Sequence, residues 1–171
     1  NLAGLDRVLD LLEEPIEMPD RDSARDLVPD LVEGRVEVRG LGFTYPGTEQ
    51  PVLRDVEFVA HPGQLIAFVG ASGAGKTTLL RCLLGMYVYD GSAQINGVEC
   101  SACDHRALAR AVSYVPQTHD LEFPLTVYDF VMMGRYPYLS ALSPAQKRDE
   151  KAVERALDMT GIGGFRHRTL C

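Results

Sequence analysis

Apolar positions along this chain change period several times, and each change predicts an element. Leu5, Val8, Leu9 and Leu12 fall at i, i+3, i+4 and i+7, the spacing of one helix face, with acidic residues opposite. Pro15 and Pro19 end that helix, and a Pro-, Asp- and Arg-rich stretch up to residue 33 reads as a linker. Residues 1–33 are either a helix at a domain edge or the tail of a preceding domain. Arg35-Val36-Glu37-Val38-Arg39 alternates strictly, as a strand with one wet face does. Phe43-Thr44-Tyr45-Pro46 predicts a second short strand closing in a turn. Residues 52–60 and 64–69 predict two more, with His61-Pro62-Gly63 turning between them.

A helix follows and runs to about Gly85. Asp90-Gly91-Ser92 then turns into Ala93-Gln94-Ile95, and Asn96-Gly97 is a tight-hairpin dipeptide. Asp104 is placed to cap a short helix through Ala109. Ala111-Val112-Ser113-Tyr114-Val115 predicts a buried strand with Pro116-Gln117 at its C-terminal end, where open α/β sheets place ligand-binding groups. Beyond Gln117 the pattern becomes helical. Thr126-Val127-Tyr128-Asp129 has the form of a capping box for a helix to about Met133. Ser143, Pro144 and Gln146 predict an N-cap, N1 and N3. The helix they open sets Ala145, Ala152, Val153, Ala156, Leu157 and Thr160 on one face, and Gly161 ends it.

The chemistry lies at Gly70-Ala71-Ser72-Gly73-Ala74-Gly75-Lys76-Thr77-Thr78. The apolar run 65–69, of the kind a buried parallel strand needs, precedes it, and a helix-forming run follows. Strand, glycine-rich turn and helix occur in the order of a P-loop, G-x-x-x-x-G-K-[ST]. Glycines let backbone amides converge without side chains intervening, and the helix N-terminus adds partial positive charge. Lys76 is placed to reach the β/γ-phosphates of a nucleotide, and the Thr77 hydroxyl to complete a Mg²⁺ shell.

Composition narrows the setting. The 171 residues are 46% hydrophobic and 24% charged, as in a globular protein, with a formal net charge of -7. That sign argues against a nucleic-acid backbone as a general partner. No apolar run approaches the ~20 residues of a bilayer-spanning helix. Cys100-Ser101-Ala102-Cys103 with His105 has half of a zinc-site spacing, but no second pair follows. Incidental thiols in a reducing compartment account for the four cysteines.

With Tyr45, the P-loop and Gln117 in this order, the chain from about residue 34 onward resembles the nucleotide-binding domain of an ABC transporter. Residues 70–78 match that family's Walker A. Phe43-Thr44-Tyr45-Pro46 is similar to its A-loop, whose aromatic stacks on adenine. Val115-Pro116-Gln117 is similar to its Q-loop, whose glutamine meets Mg²⁺ and links the site to the membrane domain. By sequence alone, Tyr45 could equally be core packing and Gln117 a polar strand end.

The resemblance implies an α/β fold, a P-loop NTPase core with an antiparallel β subdomain and the start of a helical subdomain. It divides residues 34–171 into an ATP-binding core and β subdomain, 34–117, and a helical part, 118–171. It implies ATP and Mg²⁺ as cofactors, with Lys76 and Gln117 as catalytic residues and Thr77 and Gln117 as metal-binding ones. Tyr45 and 70–78 would bind the nucleotide. The implied partners are a transporter membrane domain and a second ATP-binding domain, at the cytoplasmic face of a membrane. Residues 5–18 with the linker resemble the join between membrane helices and ATPase in exporters. Phe123-Pro124-Leu125-Thr126-Val127 and Val131-Met132-Met133-Gly134-Arg135-Tyr136-Pro137 instead resemble importers of iron chelates, haem or cobalamin.

In that family a signature loop, the Walker B strand, a catalytic Glu and a switch His would follow the residues seen here, and the chain begins without Met. The expectation is an incomplete ABC ATPase domain that binds MgATP weakly, hydrolyses it near background, and dissolves poorly alone. The alternatives are a nucleotide-binding pseudo-ATPase or regulatory module, and a P-loop ATPase of DNA repair.

Overall fold

A computed structural model describes residues 33–117, 124–139 and 144–170. The expected helix and linker at the N-terminus lie outside these residues, apart from Glu33. The chain divides into two compact units, one containing Glu33–His105 and the other the described residues from Arg106 onward.

The first unit is built on a four-stranded antiparallel sheet of order β2-β1-β3-β4. Its strands are β1 (Val36–Phe43), β2 (Leu53–Ala60), β3 (Asp90–Ile95) and β4 (Val98–Glu99). Val38 pairs with Phe58 on one side and Ala93 on the other, so the alternation read at 35–39 is realised in a central strand. The sequence suggested two strands before residue 46. There is one, because Gly40 and Gly42 are absorbed as irregularities in β1 and Phe43 is its last residue. Opposite them, Gly91 has φ +84, and a Cβ there would sit 2.3 Å from the Gly40 carbonyl oxygen. Only glycine lets the two backbones approach this closely.

Asn96 (φ 49) and Gly97 (φ 78) form the expected tight turn between β3 and β4. Glu99 ties the hairpin together. Its carboxylate accepts from the Tyr89 hydroxyl at 2.6 Å, the Ser92 hydroxyl at 2.6 Å and the Ala93 amide at 3.0 Å. Val38, Leu41, Ala93 and Ile95 from the sheet are buried, as are Leu79, Cys82 and Cys100 of the same unit.

Two expected strands are absent. Residues 64–70 run without regular structure, with Leu65 94% and Val69 93% exposed. Ala111 ends a helix, α2 (His105–Ala111), and residues 112–116 are irregular, with Val115 86% exposed. A strand exists only through the ladder bonds of its neighbours, and neither segment has such a partner among the described residues.

The second unit packs helix α3 (Val127–Met133) against α4 (Lys147–Met159). Val127, Val153 and Leu157 form its core, with Tyr128, Val131, Met132, Ile162 and Leu170 packed around them. The capping box at Thr126 and Asp129 forms as expected. Helix α4 starts later than its sequence suggested. Its N-cap is Gln146, with Asp149 completing a capping box at N3, while Ser143 lies outside the described residues. Asp149 competes successfully because Arg135 also binds it, at 3.0 Å. A short pair, β5 (Leu125–Thr126) with β6 (Thr169–Leu170), brings the end of the unit back to the start of α3.

Candidate functional site

The segment between β2 and β3 holds the glycine-rich loop and helix α1 (Lys76–Leu83). The loop reaches the helix through two left-handed glycines, Gly73 at φ 83 and Gly75 at φ 82, which side chains adopt only at a cost. Gly75 is the N-cap and is buried. An ideal Cβ on it would lie 2.9 Å from Leu53 Cδ2 and 3.2 Å from Val52 Cγ1. The glycine therefore serves two needs, a backbone turn and close packing on the start of β2.

The N-terminus of α1 is left open to an anion. No side chain caps it, and no acidic residue stands in its first turn. Its leading amides have no carbonyl one turn earlier within the helix, and their dipoles favour negative charge. Lys76 folds back over the loop, its Nζ donating to the carbonyl oxygens of Gly70 and Ala71 at 2.8 Å each. The ammonium is thus held on the loop rather than splayed away from it. Beneath, an apolar recess of about 270 Å³ between Leu53, Val56, Phe68 and Leu79 borders Gly75 and Lys76. Its walls do not suit phosphate, so an anion belongs on the amide face.

Thr77, the candidate Mg²⁺ ligand, is exposed and its hydroxyl has no hydrogen-bond partner among the described residues. That oxygen fits a hard cation, which takes oxygen ligands. Thr78 is buried, and its hydroxyl lies 3.0 Å from that of Tyr45. Tyr45, half-buried and two residues beyond the end of β1, meets Phe43 edge-on at 4.9 Å. The first unit thus gathers Tyr45 and residues 70–78 in one place. Gln117 belongs to the second unit, exposed at the end of an irregular run.

Among the described residues, the cysteines take no visible part in the site. Burial pushes the Cys82 thiol up to about 11 and that of Cys100 to about 12, so neither ionises near neutral pH. Cys100 opens a single 3₁₀ turn that ends at Cys103, and both are buried.

A profile of the ABC transporter family matches residues 53–171. The chain belongs to the ABC transporter family. It is 44% identical over 134 residues to the ATP-dependent lipid A-core flippase of Pseudomonas putida, covering 78% of this chain and 21% of that protein. It is 33% identical over 137 residues to the manganese transport system ATP-binding protein MntB of Halalkalibacterium halodurans, covering 79% of this chain and 52% of that one. Among solved structures, a bacterial Atm1-family ABC exporter with ATP bound matches with a TM-score of 0.70 at 27% identity. That match covers 96% of this chain and 27% of the exporter. The chain therefore spans about a fifth to a half of the relatives it matches. The α/β P-loop fold expected from the sequence is that of these ABC ATPases.

Sequence reasoning missed two residues beside the site. Arg81, in the last turn of α1, donates from Nη1 to the Tyr87 hydroxyl at 2.9 Å. Tyr87 in turn stacks on Phe43 at 4.8 Å and meets Tyr45 edge-on at 5.8 Å. No spacing rule links residues 43, 45 and 87. The only signal was an excess of aromatics just after the helix.

Proposed function

We propose that this chain is an ATP-binding segment of an ABC transporter, in which binding and hydrolysis of ATP drive solute across a membrane. The observation that supports it most is the Lys76 ammonium held on Gly70 and Ala71 over an uncapped, acid-free helix N-terminus. In this reading the amides of 70–78 bind the phosphates, Lys76 reaches the β/γ-oxygens and Tyr45 stacks on adenine. Thr77 would hold Mg²⁺, which would neutralise charge on the transferring phosphate, and the family pattern assigns Gln117 to the same ion. Gln117, in the second unit, links the site to the membrane domain. Residues 34–117 form the ATP-binding core and β subdomain, residues 118–171 the start of the helical subdomain, and residues 1–33 the tail of a preceding membrane domain. A transporter membrane domain and a second ATP-binding domain are the partners, at the cytoplasmic membrane face.

Phosphoryl transfer depends on positioning and charge stabilisation. The 171 residues hold the phosphate cradle but no carboxylate assigned to aim the attacking water, so by themselves they bind MgATP and turn it over near background. Family membership favours this reading over a DNA-repair ATPase.

Titration with MgATP tests it. Lys76→Ala removes charge-assisted contacts of ~1.5–3 kcal/mol, which weakens binding about 10- to 150-fold. Equal affinity in the variant, or no saturable binding by the natural sequence, would overturn the assignment. Turnover at an ordinary ATPase rate by the 171 residues would overturn the prediction about hydrolysis alone.

A further inference from the structure

Tyr45 lies outside the sheet. β1 ends at Phe43, and the chain turns after Tyr45, with Thr48 donating its amide to the Tyr45 carbonyl at 3.1 Å. Ladder hydrogen bonds therefore do not set the direction of the Tyr45 side chain. Other contacts do, and two of them trace back to α1. At the start of the helix, the Thr78 hydroxyl meets the Tyr45 hydroxyl at 3.0 Å. At its end, Arg81 holds the Tyr87 hydroxyl at 2.9 Å. The Tyr87 ring lies nearly parallel to Phe43 (13°, 4.8 Å) and across Tyr45 (78°, 5.8 Å). Phe43 itself stands across Tyr45 at 85°. Tyr45 therefore sits edge-on to a stacked aromatic pair, an orientation that ring quadrupoles favour.

We propose that Tyr87, anchored by Arg81, is a positioning residue that fixes the Tyr45 ring as a base platform and ties its orientation to the phosphate-binding helix. The proposal rests on the nucleotide reading above and extends it to a residue that does not touch the ligand. A ring held in place before binding loses less freedom when a base stacks on it. Tyr87 thus acts on affinity for the base end of the nucleotide and leaves the phosphate end alone. The hydroxyl binds Arg81, whose guanidinium also lies 6.0 Å from the centre of the Tyr87 ring, while Phe43 and Tyr45 meet the ring alone, so removing the hydroxyl spares the aromatic contacts.

The test compares two probes on the full chain, MgATP and magnesium tripolyphosphate, which carries the phosphates without a base. Tyr87→Leu weakens MgATP binding by about 3- to 10-fold and leaves tripolyphosphate within about twofold. Tyr87→Phe keeps the stacked ring but loses the hydroxyl that Arg81 holds, so its MgATP affinity falls between those of the natural sequence and Tyr87→Leu. Equal weakening for both probes means that Tyr87 supports the fold and overturns the proposal; so does Tyr87→Leu with unchanged MgATP binding. Should Tyr87→Leu lose its circular dichroism, Arg81→Met carries the test. It removes the anchor without deleting any ring, so a loss confined to MgATP supports the proposal and no such loss overturns it. Failure of the natural sequence to bind either probe defeats the nucleotide reading itself, and is thereby distinguished from failure of this inference.

Discussion

Replacing Gly75 by Ala separates the two demands that the P-loop places on its glycines. Gly73 and Gly75 share a left-handed backbone, φ 83 and φ 82. A side chain in that region costs about 1–2 kcal/mol at either position. Their surroundings differ. A Cβ on Gly73 meets nothing within 4 Å, whereas one on Gly75 comes within 2.9 Å of Leu53 Cδ2 and 3.3 Å of the Val52 carbonyl oxygen. The Leu53 methyl can give way, but Leu53 is itself buried, and the Val52 backbone can move only with the start of β2. Overpacking of this kind costs about 1–3 kcal/mol. Gly75→Ala is therefore expected to destabilise the first unit by about 2–5 kcal/mol and Gly73→Ala by about 1–2 kcal/mol. The assay is urea unfolding followed by circular dichroism at low protein concentration. With a slope of about 2 kcal/mol per molar urea, the two midpoints should differ by about 0.5–1.5 M. Equal midpoints would refute the close packing of Gly75 on β2. A larger loss in Gly73→Ala would refute the loop geometry as a whole.

Two further predictions concern the second unit. The Gln146 amide donates to Asp149 at 3.0 Å and Arg135 binds the same carboxylate, and both hold it below its ordinary value of 3.8. A lowered carboxylate contributes stability that is fully present above 3.8 and is lost as pH falls through the native value. Asp149→Asn should flatten the acid limb of the unfolding curve below that pH, and an unaltered limb would show that the pair is not formed. Thr126→Ala removes the hydroxyl that accepts from the Asp129 amide at 3.1 Å, at a cost of about 0.5–2 kcal/mol. Amide hydrogen exchange in the first turn of α3 should quicken, while exchange in the β1–β3 ladder stays unchanged.

Local signals proved most legible where one short stretch contains both partners. The Asn96-Gly97 turn and the Thr126–Asp129 box each close within a few residues, so their chemistry is complete in the sequence. The start of α4 was misread because Ser143-Pro144 is a good local signal, and the outcome was decided by Arg135, 14 residues from Asp149. The runs at 64–69 and 111–115 had the composition of buried strands. Composition gives only the tendency to be covered, and a strand also needs neighbours to bond with.

The sequence by itself determined the glycine-rich loop. Its glycines, lysine and following helix are consecutive, and the required backbone angles follow from residue type alone. It also determined the family, through motifs whose order and spacing need no coordinates. Tertiary structure alone decided how Tyr45 is held, since Phe43, Thr78 and Tyr87 reach it from two elements and a connecting segment. It likewise decided that Gly75 must pack on Val52 and Leu53. Contacts between residues tens of positions apart depend on where the sheet places its strand ends, and no local pattern of hydrophobicity contains that distance.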